Sequence, residues 1–86
     1  MHNIELTRTA EETYRWLSAK DRRLFERIDA ALDALAQDPL QGKPLKGALS
    51  GDRSYRVGSY RIIYTIQHNR LVVLILDIGH RREIYR

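Results

Sequence analysis

The 86-residue chain predicts an α+β fold, with an N-terminal antiparallel helix pair packed on one face of a small, mostly antiparallel β-sheet. The two halves of the chain differ in pattern. Before Pro39, apolar residues recur at helical spacing. After Arg53 they fall in short runs rich in Tyr, Ile and Val. A stretch bearing glycine and proline separates the two. The length suits one domain, residues 1–86, with a modest core.

Asn3 to Leu6 reads as a short opening strand. Thr9 followed by Glu12 has the spacing of a capping box, starting a helix to about Ala19 with Ala10, Tyr14 and Leu17 on one face. Asp21 is placed to cap a second helix. There Leu24, Ile28, Ala31, Leu32 and Leu35 recur at i, i+4, i+7, i+8 and i+11, an amphipathic stripe. The short connection from Ser18 to Asp21 makes the helices antiparallel. Asp38-Pro39 ends the second helix, because proline disfavours helical backbone at the residue before it.

Gln41 to Arg53 holds Gly42, Pro44, Gly47 and Gly51 and reads as loop, with Lys43 and Lys46 solvated. Strands are expected at Ser54 to Val57, Tyr60 to Gln67 and Leu71 to Ile78. Gly58-Ser59 has the Gly-first form of a two-residue type II′ hairpin turn, and His68-Asn69 marks a second turn. The nearly unbroken apolar run Leu71 to Leu76 fits a central strand covered on both faces. By alternation Tyr60, Ile62, Tyr64 and Ile66 face the helices, which makes the tyrosines packing groups with satisfied hydroxyls.

Lys and Arg number 15 against 11 acidic residues, a net charge of +4 with a pI near 9.8. That excess favours a polyanion partner, or serves solubility alone. There is no cysteine, which excludes disulfides and thiolate metal sites. His2, His68 and His80 are scattered, without carboxylates at ligand spacing, so no metal site is expected. Gly-rich nucleotide loops and G-x-S-x-G nucleophile motifs are absent. Asp29 and Asp33, at i and i+4, read as a solvated helix face. No apolar run approaches the ~20 residues of a spanning helix, and no secretory leader is visible. A cytoplasmic protein without a membrane partner is expected.

Two clusters carry candidate chemistry. A two-residue turn at Gly58-Ser59 sets Val57 opposite Tyr60 and Arg56 opposite Arg61, on the same face. Like charges directly opposite on a sheet are destabilising. A bound phosphate removes the conflict, since guanidinium forks match its oxygens. Alternatively both side chains splay into water, where the repulsion is screened. The second cluster is the tail from Asp77 to Arg86, with Arg81, Arg82, Arg86, His80 and Tyr85 in its last seven positions. Gly79 is expected to turn the chain sharply after the central strand. Arginine beside an exposed tyrosine suits RNA, the cation on phosphate and the ring on a base. The alternative is a frayed, solvated tail. His80 reads either as a general acid or base or as a surface hydrogen-bonding group.

The run from Tyr55 to Tyr64, followed by Gly79-His80-Arg81-Arg82-Glu83-Ile84-Tyr85, resembles the signature of RelE-type toxins in the RelE/ParE superfamily. Leu45-Lys46-Gly47 and the two helices fit the same pattern, so the resemblance spans essentially the whole chain. It implies a toxin held inactive by a cognate antitoxin that wraps it. It implies cleavage of mRNA in the ribosomal A site, where the 2′-hydroxyl attacks the adjacent phosphate without metal or cofactor. Operator DNA would be bound only through the antitoxin complex.

By resemblance, Arg61 matches the arginine that holds the scissile phosphate. Arg81 matches one that stabilises the transition state or assists the leaving group. Tyr85 matches a tyrosine that stacks on the message and helps proton transfer. Arg56, Arg82, His80 and Lys46 are the further residues expected to contact RNA. The best-known member has a second lysine two residues further along that strand, a position that falls near Gly58 here, so one charge is missing or is supplied by another residue such as Arg82. The general base is left open between Tyr85, His80 and a ribosomal group. ParE-type members instead block DNA gyrase without catalysis, and a third option is an inactive relative that binds only its partner or operator DNA. The set Arg56, Arg61, Arg81 and Tyr85 favours the nuclease, because a gyrase binder has no need of it.

Overall fold

The computed structural model describes residues 1–47 and 51–80. The chain runs β1 (Asn3–Leu6), α1 (Arg8–Lys20), α2 (Arg22–Gln37), a 3-10 turn (Pro39–Gln41), β2 (Lys43–Pro44), β3 (Arg53–Val57), β4 (Tyr60–Gln67) and β5 (Val72–His80). The strands form one sheet in the order β1-β5-β4-β3-β2. All neighbours are antiparallel except β1 with β5, which are parallel. The expected helix pair on a mostly antiparallel sheet is what forms.

Asp21 alone joins the helices. Its backbone N–H donates to Leu17 O at 2.9 Å, closing α1, while its carboxylate accepts from Leu24 N at 3.2 Å, capping α2. The helices clasp where Tyr14 Oη donates to Asp29 Oδ1 at 2.7 Å and the Tyr14 and Phe25 rings lie 4.9 Å apart. Asp29 is therefore half-buried and bonded rather than part of a solvated face. The stripe of α2 behaves as read: Ile28, Ala31, Leu32 and Leu35 are buried with Leu17 of α1 against Ile62, Tyr64, Val73, Ile75 and Ile78 of the sheet. Each large aliphatic side chain buried this way contributes roughly 1.5–3 kcal/mol.

Several boundaries differ from expectation. The cap of α1 is Thr7, not Thr9, and the helix begins at Arg8. Thr7 Oγ1 accepts from Ala10 N at 3.2 Å and donates to Leu76 O at 2.8 Å, so a bond to β5 selects the earlier residue. Lys43 and Pro44, read as loop, form a strand against Ser54 and Arg53. Proline is tolerated there because β2 is the sheet edge. The turn after β4 spans four residues, since Gln67 pairs with Val72, and Leu71 takes a left-handed φ of 54°. Strand β5 is central but has helices on one face only, and Leu74 and Leu76 on the other are half-buried. Gly79 does not turn the chain: β5 continues through it to His80.

A bulge at Leu76 explains the packing of β5. Ile63 pairs with Asp77 but Tyr64 pairs with Ile75, leaving Leu76 as the extra residue. Both Ile75 and Ile78 thereby reach the helices, although strict alternation would put them on opposite faces. Among the described residues no helix is long and apolar enough to cross a membrane.

Candidate functional site

The hairpin β3–β4 builds the site. Gly58 takes a φ of +60° while Ser59 does not enter the left-handed region, as a Gly-first two-residue turn requires. Val57 then pairs with Tyr60, and Arg56 with Arg61. Val57 and Tyr60 belong to the helix-facing core, so both arginines are on the helix-free face. Arg56 is exposed and Arg61 half-buried. Arg61 Nη1 donates to Ser54 Oγ at 3.4 Å, a long bond to a buried hydroxyl two residues before Arg56. On its other side Arg61 pairs with Gly79, which brings no side chain to that face.

A third cation joins them. Pairing of Lys43 with Ser54 puts Lys43 on the same face, and a depression of about 310 Å³ is lined by Gln41, Gly42, Lys43, Ser54, Tyr55, Arg56 and Arg61. The sequence offered Lys43 only as a solvated loop residue, because a two-residue strand has no periodicity to detect. Lys46 is exposed on the following loop and does not line the depression.

Behind the depression, Tyr64 holds the floor. Its buried hydroxyl donates to Pro39 O and accepts from Gly42 N at 3.0 Å. Burial raises its pKa above the ordinary tyrosine value, against the opposing pull of the Gly42 N–H and Arg53. A side chain at Gly42 would put Cβ 2.5 Å from Tyr64 Oη and 2.8 Å from Ser54 O, so only glycine fits. Tyr60 and Tyr64 are packing groups, as alternation predicted, and Tyr64 has both sides of its hydroxyl satisfied.

His80 is placed apart from the arginines. It pairs with Tyr60, and the two rings meet edge-on with centroids 5.9 Å apart. Tyr60 is a helix-face residue, so His80 lines a different cleft, with Glu12, Thr13, Trp16 and Ile78. The described structure thus brings Arg56 and Arg61 together and leaves His80 on the opposite face. Arg81, Arg82 and Tyr85 lie outside the described residues.

Residues 4–85 match the family described as ParE toxin of type II toxin-antitoxin system, parDE. The chain belongs to the RelE/ParE toxin superfamily. The toxin is 42% identical to Toxin RelG of Mycobacterium tuberculosis over 60 residues, covering 69% of each chain. It is 33% identical to Toxin YoeB of a Synechocystis species over 84 residues, covering 92% of the toxin and 98% of the relative. Among solved structures, the toxin–antitoxin complex RelBE2 of Mycobacterium tuberculosis superposes with a TM-score of 0.82 at 32% identity, over 93% of the toxin and 98% of the matched chain. This is the toxin half of a toxin–antitoxin pair, of RelE/YoeB type.

Proposed function

We propose that the toxin is a ribosome-dependent endoribonuclease that cuts mRNA in the A site. The observation that carries this reading is the register-opposed pair Arg56 and Arg61, joined by Lys43, on the face of the sheet that no helix covers. Folding alone gives no reason to set like charges directly across a sheet. A phosphate between them offsets the repulsion and is gripped by guanidinium forks.

In the reaction, the 2′-oxygen of the message bonds to the adjacent phosphorus as the bond to the 5′-oxygen breaks. The 2′-hydroxyl proton leaves and the 5′-oxygen gains one. The products are a cyclic phosphate and a 5′-hydroxyl end. Arg61, bonded to Ser54 and set directly across from Arg56, is the group for the charge that grows on the phosphate. Arginine keeps its proton in proteins, so it stabilises charge and does not act as base. Arg81 and Tyr85 are assigned to the leaving group and to base stacking with proton transfer. Arg82, His80 and Lys46 are assigned to further RNA contact. The cognate antitoxin silences this activity in the cytoplasm, and operator DNA is met only through the antitoxin complex.

The family description names ParE, which favours a second reading, a non-enzymatic inhibitor of DNA gyrase. Primer extension on message from a purified translation reaction separates the two. New ends within ribosome-bound codons, absent without ribosomes, are expected. Arg61→Ala should lower cleavage about 100-fold or more while leaving the fold and antitoxin binding intact. Intact message with unimpaired translation would overturn the nuclease, and inhibited supercoiling by gyrase would then establish the second reading.

A further inference from the structure

We infer that Lys43 forms a second phosphate subsite, beside the one at Arg56 and Arg61, which holds a non-scissile phosphate of the RNA strand. The identity of the strand rests on the endonuclease reading above. The subsite itself rests on how Lys43 is held.

A two-residue edge strand has little stability of its own. Here it is fastened from three directions. Arg53 donates from Nε and Nη2 to Gly42 O at 3.2 and 2.9 Å, and from Nη2 to Leu40 O at 3.2 Å. Gly42 N is bound by the buried Tyr64 hydroxyl. Pairing with β3 completes the anchorage. Yet Lys43 and Pro44 are both exposed, so this bonding buries no apolar side chain of β2. Its effect is to fix where the Lys43 side chain starts.

That start lies directly across from Ser54, hence diagonal to Arg56 and on the same face. Diagonal neighbours on an antiparallel pair are ~7–8 Å apart, against ~5 Å for the directly opposed Arg56 and Arg61. The close pair suits one phosphate. The more distant Lys43 suits the next one along the strand. Among the described residues the ion pairs engage Arg15, Arg22 and Arg70, and neither Lys43 nor Arg56. A third cation beside an already repulsive pair adds to the conflict that a polyanion resolves. Lysine, a point charge on a flexible stem, positions a backbone without demanding fork geometry.

The test is anisotropy of a labelled, short single-stranded RNA, methylated at every 2′-oxygen so that it resists cleavage, titrated with free toxin over a range of salt. Lys43→Ala should lower affinity about five- to tenfold and reduce the slope of log affinity against log salt by ~0.7, the loss of one phosphate contact on a single strand. Lys43→Arg should keep both. Lys20→Ala, at the exposed end of α1, should match wild type. Should Lys43→Ala behave as Lys20→Ala, the subsite is wrong, and a loss in Arg61→Ala within the same series would leave the endonuclease reading standing. Weakened binding by Lys43→Ala at an unchanged salt slope would point to a displaced edge strand and also overturn the subsite. RNA that wild type does not bind would overturn the subsite and leave the ribosome-dependent endonuclease reading to the primer-extension test.

Discussion

The two faces of the sheet follow opposite rules. On the helix side, Ile62, Tyr64, Ile75 and Ile78 are almost wholly buried, and the polar atom they bring, the Tyr64 hydroxyl, has protein partners. On the open side, Arg56, Arg61 and Lys43 gather around one depression on three adjacent strands. The first face is arranged for stability. The second sets cations side by side on neighbouring strands, an arrangement that a packed core does not use. Substitutions on the two faces should therefore separate stability from activity.

The largest loss of stability is expected on the packed face. Ile75→Ala opens a cavity between the sheet and the helices and should cost about 3–4 kcal/mol in denaturant unfolding. A cost below 1 kcal/mol would mean that the bulge does not seat Ile75 in the core.

Tyr14 tests the clasp between the helices. Its hydrogen bond to the Asp29 carboxylate, with lesser help from burial and the charges of Asp29 and Asp33, pushes its pKa up to about 12 from the ordinary 10.0. The fold thus prefers the neutral phenol. Its stabilisation is fully present below pH 10 and is lost as pH rises towards 12. Tyr14→Phe should cost about 1 kcal/mol near neutrality, a modest figure because the pair is only half-buried. Stability of the variant and wild type should converge through that alkaline window. Parallel curves would show that the clasp contributes nothing.

The smallest change is expected on the open face. Arg56→Gln relieves the opposed charges and should leave stability unchanged or raise it by up to ~0.5 kcal/mol, most at low salt. Message cleavage should nonetheless fall. A clear loss of stability would place Arg56 in the fold's own support and remove the contrast between the faces.

The hairpin and the tail were not equally legible. Gly58-Ser59 sets the register of its own strands, so Arg56 opposite Arg61 followed from a local turn rule and is what the structure contains. The same reading grouped His80 with the tail arginines. The pairing of His80 with Tyr60 puts it on the other face, a fact that residue counting around a bulge does not supply. Gly79 was taken for a turn, whereas it is a strand residue in register with Arg61.

Sequence alone determined what neighbours along the chain decide. The stripe of α2, its cap at Asp21, its stop at Pro39 and the hairpin at Gly58-Ser59 each arise within a few residues, where spacing and backbone preference act directly. Tertiary structure decided what distant residues settle between them. Thr7 became the cap because Leu76, 69 residues away, accepts its hydroxyl proton. Strand β1 runs parallel to β5, and Lys43 reaches the arginines only because Arg53 and Tyr64 fasten its strand. Such partnerships leave no period in the sequence, since they are set by which surfaces meet once the helices have covered one face of the sheet.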